Sequence, residues 1–185
     1  MSHRILGHTT VCTTMRANLA KIFGGIAILL IILILVGFLR PAHWTAEACV
    51  EAHLDPEVIF TYLNDLEKWD EWTIWSDIDS EVTDPSHGEG AMRTWEDESF
   101  GSGEILIVKS YPPSVLGYEV TTDSGARVFG TFRLTVLPTS TLITWTEQGD
   151  LGNNPLMGYL AKRIGDSQQK QMASGLESLK LRASD

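Results

Sequence analysis

The chain has 185 residues, 24 of them acidic and 14 basic, for a net charge of −10 at neutral pH. An acidic balance of this size disfavours nucleic acid and anionic surfaces as partners. The length suits one domain with a single core plus an appendage, and two cysteines give no disulfide framework.

Residues 1–21 read as a short polar arm without periodicity. Ile22 to Leu39 then runs for 18 residues without a charge, and 14 of them are Ile, Leu, Val or Phe. As a helix rising about 1.5 Å per residue it covers roughly 27 Å, close to the ~30 Å of a bilayer core. Lys21 and Arg40 bracket the run, so residues 22–40 are expected to form a transmembrane helix with the lipid bilayer as partner. Arg4, Arg16 and Lys21 precede it, whereas Arg40 alone follows, ahead of Glu47 and Glu51. That bias puts the N-terminus in the cytoplasm and the rest outside, in the periplasm if the cell is Gram-negative.

Other readings of the run compete. A buried core helix would carry a polar stripe, and this run has none. A cleaved signal peptide could end at Ala46-Glu47-Ala48, but its apolar region is usually only ~7–15 residues long. A lipoprotein site at Cys49 lacks a large aliphatic residue just before it. Residues 44–185 hold all 24 acidic residues and ten of the 14 basic ones, which leaves that part at −14. A solvated acidic face accounts for this.

Residues 41–44 form the linker, where Pro41 ends the helix and Trp44 suits an interface. From Thr45 to Leu54 small apolar residues alternate with polar ones, which argues a half-buried strand with Ala46, Ala48, Val50, Ala52 and Leu54 inward. Asp55-Pro56-Glu57 is a helix start, with Asp55 as capping acceptor, and Val58, Ile59, Tyr62, Leu63 and Leu66 follow at helical spacing. Trp69, Trp72 and Trp75 fall within seven residues, a cluster that suits a core plug better than a ligand platform. Strand segments follow near 81–84, 90–97, 102–111, 115–122, 126–137 and 140–148, separated by short Gly, Pro, Asp and Ser turns that imply an antiparallel meander. Gly130 shares a face with Val128, Phe132, Leu134 and Val136, and leaves room there for another backbone or a ligand. A long final helix is capped by Asn154 with Pro155 in its first turn. Its apolar stripe is Leu156, Leu160, Ile164, Met172, Leu176 and Leu179, interrupted at Gln168.

The polar part holds three histidines, His43, His53 and His87, far apart and without metal-ligand spacing. Neither a nucleophile elbow nor a phosphate-binding glycine loop is present. No metal and no cofactor are expected. Strand alternation puts Glu147 on one face with Ile143 and Trp145, and Arg93 on another with Trp95 and Asp97. Charged residues are mostly exposed, so Glu147 and Arg93 are expected at a rim, solvated or ion-paired. In an apolar cavity either could instead polarise a carbonyl, and Glu147 with a raised pKa could serve as a general acid or base.

The order is strand, two short helices, antiparallel strands and one long helix. Residues 45–181 resemble the START-like (SRPBCC) superfamily in its polyketide cyclase/dehydrase branch. The resemblance rests on Asp55-Pro56-Glu57, the run Tyr62 to Leu66, Trp69, Trp72, Trp75, Trp95, the Gly101-Ser102-Gly103 turn, Thr141 to Trp145, and Gly175, Leu176, Leu179 and Lys180. It implies an α+β helix-grip domain over 45–182, a curved antiparallel sheet around the C-terminal helix, with an elongated apolar cavity between them. Trp72, Trp95, Gly130, Phe132, Trp145, Tyr159, Leu160 and Ile164 are the residues expected to line it. The family contains carriers and cyclases without a shared catalytic motif. A hydrophobic small molecule or lipid is therefore the expected ligand of a membrane-anchored domain. A polyketide cyclase or dehydratase acting in the same cavity, with Glu147 or Arg93 as catalytic group, is the alternative. A protein-interaction module with a filled core is a further one. The residues fix no oligomeric state.

Overall fold

The computed structural model describes residues 9–152 and 154–184. Residues 1–8 of the expected polar arm lie outside the described residues; from Thr9 on, the arm is helical and continues into the apolar run as one helix, α1 (Thr9–Leu39). Its segment Lys21–Leu39 has a mean hydropathy of 3.1 and is long and apolar enough to cross a membrane.

A seven-stranded antiparallel sheet follows, built from β1 (His43–Ala52), β2 (Ser80–Val82), β3 (Met92–Asp97), β4 (Gly101–Tyr111), β5 (Val115–Thr122), β6 (Arg127–Val136) and β7 (Thr141–Asp150). Strands β2 to β7 form the meander, and β1 closes it by pairing with β7, in the order β1-β7-β6-β5-β4-β3-β2. Between β1 and β2 run α2 (Pro56–Leu63) and two 3-10 turns, Glu67–Glu71 and Ile74–Asp77. The chain ends in α3 (Met157–Arg182), which lies across the inner face of the sheet and packs most extensively on β1. This is the expected helix-grip architecture.

β1 begins two residues earlier than its alternation suggested, and its burial alternates perfectly, with Trp44, Ala46, Ala48, Val50 and Ala52 inward. The small side chains let α3 approach. A Cβ placed on Gly165 would stand 3.2 Å from the Thr45 carbonyl oxygen and 3.4 Å from the Trp44 Cβ. That closeness corrects the expected stripe on the last helix. Ala161, Gly165, Met172, Leu176 and Leu179 face the core, whereas Leu156 and Leu160 are exposed. The sequence favoured the large residues, but β1 comes closest to α3 at Gly165, where only a small residue fits.

Helix starts also differ in detail. Asp55 caps α2 with its backbone carbonyl, which accepts from the Val58 and Ile59 amides, and its carboxylate makes no cap. Asn154 Oδ1 accepts the Leu156 amide at 3.0 Å, but α3 begins only at Met157.

The two long helices meet. Gly37 near the end of α1 lies against Pro155, and Gly158 in the first turn of α3 lies against Arg40. The Tyr159 hydroxyl donates to the Leu33 carbonyl at 2.7 Å, and the Arg40 guanidinium sits 4.6 Å from the centre of the Tyr159 ring. The connection is therefore only Arg40 to Ala42, and a direct helix contact supplements it.

Candidate ligand cavity

The inner face of the sheet does not pack fully against α3. A cavity of about 420 Å³ remains, bounded by the 3-10 turns, by β3 to β7 and by the middle of α3. The core is thus not filled, and the filled-core interaction module loses its structural premise. All six tryptophans of the chain, Trp44, Trp69, Trp72, Trp75, Trp95 and Trp145, line the cavity. Ile74, Phe100, Gln171 and Ser174 are exposed lining residues and mark its rim.

The walls are fixed by aromatic contacts. Trp69 meets Tyr118 edge-on at 5.2 Å between ring centres, Trp72 meets Trp145 at 5.9 Å, and Trp75 meets Trp95 at 5.3 Å. Edge-to-face pairs of this kind stabilise by about 0.5–1.5 kcal/mol beyond their burial. The tryptophan run is thus core plug and cavity wall at once. Trp69 turns its N–H away, to the Leu63 carbonyl at 2.9 Å. The Trp72 and Trp44 indole N–H groups are buried without a partner.

Three aromatic wall residues stand directly opposite glycines of the neighbouring strand: Tyr118 on Gly130, Trp44 on Gly149 and Trp95 on Gly103. A methyl group added at any of these glycines would overlap the facing ring. The room at Gly130 is therefore taken by Tyr118, not left for a ligand.

Behind these walls lies one polar centre. Glu147 on β7 is only 4% exposed. Its Oε1 accepts the Tyr118 hydroxyl from β5, and that hydroxyl in turn accepts the Trp145 indole N–H at 2.8 Å. Glu147 Oε2 is buried and has no partner within hydrogen-bond geometry, while the Gln168 side chain of α3 stands close enough to the carboxyl to favour its charged form. Loss of solvation raises the Glu147 pKa above the usual carboxylate value, partly offset by the Tyr118 hydrogen bond and by the Gln168 side chain. Burial, and then the charge of Glu147, raise the Tyr118 pKa well above that of a free phenol. Tyr118 accordingly remains the donor of the pair, and Glu147 is buried in the wall instead of solvated at the rim.

Arg93 is also buried, 2% exposed, but it is not among the residues lining the cavity. Its Nη2 reaches Asp70 at 2.6 Å and the Leu66 carbonyl at 2.6 Å, and its Nη1 donates to Ser80 at 2.9 Å. It ties β3 to the turn that carries Trp69 and Trp72. Of the other expected residues, Trp72, Trp95 and Trp145 line the cavity and Phe132 does not. Phe132 is fully buried, 4.7 Å from Trp145 ring to ring. Tyr159 turns to α1, Leu160 is exposed, and Ile164 packs against the core without lining the cavity. Sequence reasoning missed Tyr118 as the partner of Glu147 and missed Gln168 as a wall residue. The break in the apolar stripe at Gln168 was the available signal. His43 and His53 stay at the surface, and among the described residues no cluster could hold a metal ion.

Residues 43–184 match the profile of the family described as polyketide cyclase / dehydrase and lipid transport. The chain belongs to this family. No curated protein matches the sequence. Solved structures share the fold of this polyketide cyclase/dehydrase domain at low identity. The protein TTHA0849 from Thermus thermophilus has a TM-score of 0.59 at 18% identity, over 75% of this chain and 96% of that one. The hypothetical protein jhp0584 from Helicobacter pylori has a TM-score of 0.58 at 14% identity, over 76% and 87%. A truncated norcoclaurine synthase from Thalictrum flavum has a TM-score of 0.57 at 10% identity, over 75% and 91%. Family membership makes a ligand-binding helix-grip domain the common frame, within which Glu147 and Tyr118 are this chain's own polar centre.

Proposed function

We propose that the chain is a membrane-anchored binding protein for a hydrophobic small molecule or lipid, with its domain outside the cytoplasm. The carrying observation is the cavity of about 420 Å³ walled by all six tryptophans, a volume within the range of small-molecule sites. The anchor reading rests on the hydropathy of Lys21–Leu39 and on the basic residues ahead of it. An apolar ligand leaving the bilayer would meet the cavity at short range. Native mass spectrometry of the full chain released from mild detergent tests the binding. Retention of an apolar molecule that a cavity-filling Ser174→Trp variant loses supports it; an empty wild-type protein that also fails to take up apolar probes overturns it. A reporter fused after Asp185 should be active outside the cytoplasm and inactive within.

One observation favours a second reading, an enzyme of the cyclase or dehydratase kind. Glu147 and Tyr118 form a hydrogen-bonded acid pair inside the cavity, the sort of group that moves protons next to a carbonyl. Turnover of a polyketide-like thioester that falls by about a hundredfold or more in Glu147→Gln would establish it.

A further inference from the structure

The cavity's own unmet hydrogen bonds narrow the ligand's chemistry, and this step rests on the binding reading above. Buried polar groups normally find partners, and a buried carboxylate oxygen without one is costly to keep. Glu147 Oε2 is such an atom, on a side chain 4% exposed that lines the cavity. Its other oxygen is held by Tyr118, whose hydroxyl is itself fixed by the Trp145 N–H, so the carboxyl cannot turn away to solvent without breaking the Tyr118 hydrogen bond. The rings beside it, Tyr118, Trp145 and Trp72, offer aromatic faces and edges to whatever enters. A carboxylate among aromatic rings is the chemistry that holds an ammonium group, by ion pairing and by attraction to the ring faces. The cavity walls carry no Lys or Arg that would hold an anion, and the chain is acidic overall.

We infer that the ligand is a small apolar molecule bearing a protonated amine, whose N–H donates to Glu147 Oε2. The volume, near the low end for small-molecule sites, suits a free amine better than a two-chain lipid. The Trp72 N–H, also buried and unpartnered on the wall, is then available to an acceptor elsewhere on the same molecule.

Four probes of similar shape test this: phenylbutylamine, phenylbutanol, phenylbutyrate and a matched phenyl ketone. Each is titrated at neutral pH into the full chain in phosphatidylcholine nanodiscs. Tryptophan fluorescence is the readout, since every tryptophan lines the cavity, and empty discs correct for partitioning. The amine should bind at least about tenfold more tightly than the alcohol, the ratio expected of one hydrogen bond to a charged group, and the carboxylate most weakly. Glu147→Gln should abolish the amine's advantage over the alcohol. An alcohol that binds as well as the amine overturns the inference and leaves the binding reading standing. So does a matched phenyl ketone that outbinds the amine, because the carboxyl would then be acting as a donor. Failure of every probe to bind overturns both. If the variant does not fold, the comparison of probes on the wild-type chain decides alone.

Discussion

Two charged side chains are buried in this domain, and they are held in opposite ways. Arg93, on β3, commits its guanidinium nitrogens to Asp70, the Leu66 carbonyl and Ser80, with only Nε unmatched. Asp70 and Leu66 belong to a turn that must stay against the sheet, and Ser80 to the neighbouring strand β2, so the arginine works as a fastening. Glu147, on β7, has one oxygen held by Tyr118 and the other without a partner, on a side chain that lines the cavity. Both sites are equally dry. The difference lies in where the side chain stands: Arg93 is away from the cavity, and Glu147 lines it. Burial alone does not distinguish the two; their place relative to the cavity does.

Three measurements sharpen this contrast, each by chemical unfolding of the full chain in detergent micelles. Arg93→Met should have the largest effect, a loss of about 3 kcal/mol. That is the low end for breaking a buried ion pair, because Asp70 is half exposed and returns to water. A change within error would mean that the turn carrying Trp69 and Trp72 does not depend on this arginine. Gly130→Ala comes next, at about 2 kcal/mol, because its methyl group overlaps Tyr118 and overpacked sites lose roughly 1–3 kcal/mol. It should also displace the Tyr118 hydroxyl from Glu147, seen as a changed tryptophan emission from Trp145. Glu147→Gln is the smallest and has the opposite sign.

The sign for Glu147 follows from its raised pKa in the folded protein. The folded state then binds a proton more tightly than the unfolded chain does. Stability from this group is fully present below the unfolded pKa, near 4.5, and is lost as pH rises through the folded value. Glu147→Gln removes that dependence. At neutral pH the variant should be the more stable protein, and its advantage should shrink as the pH falls toward 4.5. Equal pH profiles for the two proteins would show that Glu147 is ionised at no cost.

Much of the fold is legible in the sequence because the signals are local. Alternation over Thr45–Leu54 gives β1 its inward face, and Asp-Pro, Pro-Pro and Asp-Ser-Gly turns divide the meander within a few residues of the observed strands. What fails is long-range. Leu156 and Leu160 have the right spacing for a core, yet they are exposed, and the helix meets β1 through Ala161 and Gly165 instead. Glu147 has a face from alternation, but its burial depends on β5, about thirty residues earlier, where Tyr118 turns toward it. Gly130 reads as an opening until the register sets Tyr118 opposite. No pattern along one strand contains that register; it comes from how neighbouring strands slide and pair.

The contact between α1 and α3 has a geometric consequence. Tyr159 is bonded to Leu33, six residues before α1 ends at Leu39, and six residues of helix rise about 9 Å. Whatever medium surrounds α1 to its end must also surround the first turn of α3, with Leu156 and Leu160 bare on its surface. In a bilayer the domain would therefore be partly submerged, keel first. Arg40 pressed on Tyr159 and Gly158 would fix its heading. The cavity rim would then sit at one constant height and bearing above the lipid, in place of sweeping a hemisphere on a tether.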